Sequence, residues 1–208
     1  MMYEVAPESE RAALLAKYSQ IGGVLDFIFL EPDADGPPEQ LHRAAALAGI
    51  MVIDRHLEEF AISQTSSEFL QSTFFRVHCD EAKLSGEQIS FSRFWGSDDI
   101  EPKLITMTPN EAWSIPEVDG YKTAFFHPPH GLGPFASLVV DANEQMALFD
   151  RINKHILGDA PAQAEIFSWS TDWSNYFEAG LEWWGAFYWT IRPAGSRRFV
   201  VIGASATD

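Results

Sequence analysis

The chain has a single cysteine, Cys79, among its 208 residues. One thiol cannot close an internal disulfide, and the lack of paired thiols favours a reducing compartment. Basic residues are also scarce: 14 Lys and Arg stand against 30 Asp and Glu, a net charge of −16. A surface this acidic is repelled by phosphate backbones and anionic lipid, which excludes nucleic acid and membrane as expected partners. Long apolar runs are missing too. The run from Val24 to Leu30 is interrupted by Asp26, whereas a membrane helix needs about 20 apolar residues. The opening MMYEVAPESER is polar and acidic, without the apolar segment of a secretory signal. A cytoplasmic protein is the expectation.

What is present is an ordinary globular composition, 46% hydrophobic and 21% charged. A chain of this length buries about 70% of its unfolded surface and needs no covalent staple. The acidity is uneven. Residues 1–120 hold 21 acids and 8 bases, and residues 121–208 hold 9 and 6. The excess negative charge thus sits in the first part, where it either maintains solubility or attracts a basic protein.

Periodicity predicts a helix over 8–21, with Leu14, Leu15, Tyr18 and Ile21 on one stripe and Gly22-Gly23 as its stop. Val24 to Leu30 reads as a strand. Pro37-Pro38 opens a second helix that is expected to end near Gly49. Met51 to Ile53 and Glu59 to Ile62 read either as strands or as helix continuation. Thr73 to His78 and the alternating Gln88 to Trp95 read as strands, the second at an edge. Thr108 to Glu111 is a capping box. Lys122 to Phe126 reads as a further strand, stopped by the stiff loop HPPHGLGP. Asp141 caps a helix presenting Met146, Phe149, Ile152 and Ile156 and ending near Gly158. Glu165 to Trp169, Gly185 to Arg192 and Phe199 to Ala204 read as strands. The last two form a hairpin, and the final strand is apolar on both faces, which places it inside a sheet. The expected fold is α+β, a mainly antiparallel sheet with helices packed on it and a C-terminal β-hairpin. One domain over 1–208 is expected, with a subdivision near 115–120 left open.

The C-terminal third carries PPHGLGP, LFDRINKHIL, TDWSNYFEAGLEWWG and VVIGASATD in that order. Over about residues 124–208 this resembles a group of small uncharacterised bacterial proteins. The resemblance implies a stand-alone bacterial cytoplasmic protein and transfers no activity or site residue.

The most concentrated feature is aromatic: nine of the 21 residues from Trp169 to Trp189 are Phe, Trp or Tyr. If Trp173 to Trp184 is helical, Trp173, Phe177, Leu181 and Trp184 form an apolar stripe that anchors the core. Glu178 and Glu182 then sit at i, i+4 with no basic partner in the block. Asp172 reads as an acid at a helix N-terminus. The competing reading makes Asp172, Trp173, Glu178, Glu182 and Trp183 a ligand site, with a carboxylate pair beside exposed indoles, as in a sugar-binding cleft or a hydrolase.

Other chemistry is sparse. His127 and His130, separated by two prolines, can project the same way, but no motif supplies further metal ligands. His78 and Cys79 are neighbours whose side chains would leave a strand on opposite faces, so they do not form a nucleophile pair. Ser205 lacks a nucleophile-elbow motif. No catalytic residue, metal or cofactor is expected, and the reading leans away from an enzyme. It favours an acidic, non-enzymatic protein-binding module, immunity- or antitoxin-like, that docks a basic partner. The candidate contacts are Glu58, Glu59, Asp80, Glu81, Asp98, Asp99 and Glu101.

Overall fold

The strand that is apolar on both faces organises the molecule. In the computed structural model, which describes residues 1–6, 8–64, 76–102, 104, 120–127, 130–183 and 185–205, all six residues of β6 (Phe199–Ala204) are buried. The other described strands are β1 (Met2–Glu4), β2 (Asp26–Pro32), β3 (Gly86–Ile89), β4 (Glu165–Trp169) and β5 (Phe187–Arg192). They form one sheet in the order β1-β2-β6-β5-β4-β3, and every pairing is antiparallel. The C-terminal hairpin joins β5 to β6 with Trp189 opposite Ile202, turning at Gly195, whose φ is +70°. The sheet draws strands from both sides of residues 115–120, and 115–119 themselves lie outside the described residues.

Successive residues of β6 face opposite ways, so each face needs its own cover. Val200, Ile202 and Ala204 pack into one core with Phe125, Phe149 and Ile152. Phe199 and Val201 pack into a second with Ala45, Ile50 and Tyr188. The first core is covered by α1 (Ser9–Gln20), α3 (Phe91–Trp95), α4 (Tyr121–Phe126) and α5 (Ala142–Leu157). The second is covered by α2 (Pro38–Gln64) and the aromatic block with α6 (Glu178–Trp183). The fold is α+β, as the pattern of elements predicts, with helices on both faces. Among the described residues no helix is long and apolar enough to cross a membrane.

Several elements depart from the sequence reading. α2 does not stop at Gly49 but runs to Gln64, so the segments at 51–53 and 59–62 are helix continuation. Gly49 is a notch, not a stop signal. A Cβ there would sit 2.8 Å from the Tyr188 hydroxyl and 2.9 Å from both Val201 methyls. The same hydroxyl donates to the Ala46 carbonyl at 2.8 Å. The alternation over Gln88–Trp95 ends at Ile89, because Ser90 caps a helix, accepting from Arg93 N at 3.2 Å. α3 then buries Phe94 against Tyr121, centroids 5.0 Å apart. Lys122–Phe126 is helical, not extended. Every residue of α4 is buried, so it has no polar face to reveal a helical period. Of the expected strand at 73–78, residues 76–78 are irregular and 73–75 lie outside the described residues, as does the capping box at 108–111. Asp141 caps α5 as expected, accepting from Glu144 N at 2.9 Å.

The notch gives a prediction with a reversed sign. By helix propensity, Gly49→Ala gains about 1 kcal/mol. Overpacking against the fixed Tyr188 and Val201 outweighs this, so the variant is expected to lose about 1–3 kcal/mol in urea unfolding. A stabilised variant would show that α2 can lift from β6 without cost.

Candidate functional site

The aromatic block leaves β4 and crosses the second face of the sheet. It is not one continuous helix: a short 3-10 turn, Asn175–Phe177, precedes α6. Ser174, not Asp172, caps the turn, accepting from Tyr176 N at 3.2 Å. Trp173 and Phe177 are buried, but Leu181 is 49% exposed, so the expected apolar stripe breaks after Phe177. Asp172 and Glu178 are exposed. The side chains of Glu182, Trp183 and Trp184 lie outside the described residues.

The polar residues of the block have a structural task that the aromatic count conceals. They fasten the segment 76–85 to the sheet. Asn175 accepts from His78 N at 2.7 Å and donates to the Arg76 carbonyl at 2.8 Å. Asp80 N donates to the Trp173 carbonyl at 2.7 Å. Ser170 Oγ donates to the Lys83 carbonyl at 3.1 Å, and Ser170 N to Ser85 O at 2.7 Å. A groove of about 520 Å³ lies along this seam. Asp80, Asp172 and Glu178 line it with Lys83 and His78, over the buried Trp173. The groove thus joins residues from both candidate sets, one from the acid clusters and the rest from the aromatic block.

The acid clusters do not make one surface. Glu58 and Glu59 lie on α2, where Glu58 meets Arg76 at 2.5 Å and Glu59 meets Arg55 at 3.8 Å. Arg76 holds the Glu58 carboxyl below its usual range by hydrogen bonding. Asp80 follows at 3.7 Å from Lys83, and the Glu81 carbonyl accepts from Arg43 at 2.9 Å. These four sit on the second face. Asp98 accepts from Trp95 Nε1 at 2.9 Å, which places it on the first face. Asp99 N donates to Ser97 Oγ at 3.2 Å, and the Glu101 carbonyl is 2.9 Å from His127 Nε2, which keeps both near that face.

Neither histidine of the HPPH loop is poised for a metal. His127 Nε2 addresses the Glu101 carbonyl, and His130 Nε2 addresses the Gly185 carbonyl at 3.0 Å. Desolvation lowers the His130 imidazole, partly offset by that carbonyl. Among the described residues no group of three or more His, Cys, Asp or Glu is arranged to hold a metal ion. Cys79 lines the groove, yet partial burial raises its thiol, against a smaller opposing hydrogen bond from Ser174. A raised thiol is a poor nucleophile near neutral pH.

Sequence reasoning missed two buried polar centres. His42 Nδ1 is 2.8 Å from Thr190 Oγ1, which also accepts from Trp169 Nε1 at 2.9 Å. Glu165 Oε2 is 3.7 Å from His42 Nε2, and Arg192 Nε closes on Glu165 at 2.9 Å. Hydroxyl, imidazole and carboxylate stand in the order of a hydrolytic triad, but His42 and Thr190 are wholly buried. His42 stacks on Phe167 at 4.4 Å. The geometry therefore holds β4 and β5 to α2 and admits no substrate. Tyr176 donates to Asp26 Oδ2 at 2.6 Å, and burial raises the Asp26 carboxyl. Its only sequence signal is the lone acid inside an apolar strand.

Comparison of the chain with known protein families, curated proteins and solved structures gives no match.

Burial, with a smaller push from Arg192, drives the His42 imidazole down to about 3. An unfolded histidine titrates near about 6.5. The unfolded state therefore takes up the proton first. Stability from this site is complete above about pH 6.5 and falls at up to about 1.4 kcal/mol per pH unit as pH drops toward His42's folded value. In urea unfolding, His42→Leu is expected to flatten the loss between about pH 6.5 and about pH 4.5 by about 2 kcal/mol. An unchanged acid slope would show that His42 protonates freely in the folded protein.

Proposed function

We propose that this chain is a non-enzymatic, cytoplasmic protein-binding module that receives a basic segment of a partner protein, in the manner of an immunity or antitoxin protein. The observation that carries the reading is the groove. Three carboxylates, Asp80, Asp172 and Glu178, line it, and among the described lining residues Lys83 is the one lysine or arginine. A guanidinium or ammonium group entering there meets carboxylates at a concave surface, where fields are focused and encounter is accelerated. The −16 net charge adds long-range attraction for a basic protein and repulsion for phosphate. Asp98, Asp99 and Glu101 belong to this long-range field only, since they lie away from the groove.

The sugar-binding or hydrolase alternative rests on indole faces open beside the acids. Of its two indoles, Trp173 is 1% exposed and offers no such platform, and the side chain of Trp183 lies outside the described residues. The raised Cys79 thiol and the buried His42–Thr190 pair also favour binding over catalysis.

Penta-arginine amide, titrated into isotope-labelled protein, is expected to shift the amide signals of Thr171–Leu181 most. Asp172→Asn combined with Glu178→Gln should weaken this binding about fivefold at low salt, from two exposed charge pairs at about 0.5 kcal/mol each. Asp98→Asn combined with Asp99→Asn should change it by less than half as much. Equal losses in the two double variants would mean that only total charge matters and would remove the groove from the account.

A further inference from the structure

We propose that a second recess, on the opposite face of the sheet, binds a small molecule whose charge is carried by an alkylated ammonium group. The recess lies between α3 and α5 and is bordered by the turn Pro161–Gln163. Its volume is about 660 Å³, within the roughly 300–1,000 Å³ of small-molecule sites. One wall is Phe91 and Trp95, half-buried rings with centroids 5.3 Å apart. Trp95 also packs on Phe149, centroids 5.2 Å apart, which holds the indole in place. Leu157, Pro161 and Ala162 add further carbon to the lining. Asn153 lines the recess as well, but both its amide atoms are sealed from it and offer a ligand no hydrogen bond.

The charge of the occupant follows from what surrounds those rings. Among the described lining residues, Asp98, Asp150 and Asp159 stand against one ammonium, Lys154, which is 4.0 Å from Asp159. A further ammonium, Lys122, is buried and donates to the Asp98 carbonyl at 2.6 Å, so it offsets part of this field without lining the recess. Trp95 Nε1 donates to the Asp98 carboxylate at 2.9 Å. Donation to an anion leaves the indole richer in electrons, and an electron-rich ring face attracts a cation more strongly. Ring and carboxylate thus act on the same charge from adjacent positions. A primary ammonium is compact and strongly hydrated and stays with the water at the rim. An alkylated ammonium spreads its charge over methyl groups, which can rest on rings and aliphatic carbon while the charge faces the acids. Anions are repelled there, and a neutral molecule gains from the walls but not from the field. The recess shares no described residue with the acidic groove, so either reading stands without the other.

Choline and 3,3-dimethylbutan-1-ol have nearly the same shape and differ by one charge, so the pair isolates the cation. Titrated into the full isotope-labelled chain at low salt, choline is expected to move the Trp95 indole N–H signal and to bind at least about fivefold more tightly than the alcohol. Asp98→Asn combined with Asp150→Asn removes two exposed charges and should weaken choline about fivefold while leaving the alcohol unchanged. Asp172→Asn combined with Glu178→Gln, in the groove, should leave choline's effect on Trp95 as it was. No choline binding, equal affinity for the two probes, or a Trp95 signal that does not move would each overturn the assignment. An equal loss in the two double variants would also overturn it, by showing that choline follows total charge alone. The comparison of the two probes on the unaltered chain decides the matter even if a variant fails to fold.

Discussion

A strand with no polar side chain has to be covered twice. β6 imposes that constraint, and the rest of the architecture answers it. Its neighbours β2 and β5 satisfy its backbone, and two separate cores satisfy its faces. The cover on one side comes mostly from short helices and α5. On the other, the long helix α2 crosses so closely that only glycine fits at position 49. An antiparallel sheet can leave one face to water. This one cannot, because Val200 and Ile202 alternate with Phe199 and Val201 in its central strand.

The second cover explains the composition of the aromatic block. Trp169, Trp173, Tyr176, Phe177 and Tyr188 fill the core under α2, and its serines and asparagine tie down the segment 76–85. The two tasks are interleaved residue by residue. Trp173 is packed while its carbonyl receives Asp80 N, and Ser174 caps the turn that begins at Asn175. The charges left over, Asp172 and Glu178, have neither packing nor fastening to do and point to the groove. Among the described residues, rings and acids are therefore not a combined wall. The rings build the floor from beneath, and the acids stand above it.

Elements whose period matches their exposure were legible in the sequence. α5 has one apolar stripe and a capping aspartate, β4 and β6 have the bounds that their sequence pattern gives, and α1 stops at its glycine pair. Misreadings share a physical cause: a local signal had a tertiary explanation. Gly49 reads as a helix stop because the side chains that require it, Tyr188 and Val201, are distant in sequence. α4 reads as a strand because burial on all sides erases its period. The alternation at 88–95 covers a strand and a helix cap in succession. The groove is half legible in the sequence, since Asp172 and Glu178 stand out in the aromatic block but Asp80 falls with a separate acid cluster. His42, Asp26 and Asn153 carried little signal. A polar residue inside an apolar context becomes informative only when its partner, or the lack of one, is known.

The sheet stands between the acidic groove and the recess between α3 and α5. Occupants of these two hollows cannot touch or obstruct one another, so neither could displace the other by bulk. Any influence between them must pass through the sheet, where successive residues of β2, β4, β5 and β6 belong to one core and then the other. The molecule is thus wired as two separate ports across a common partition, and crosstalk between them depends on how far the neighbours that alternate across it can shift in concert.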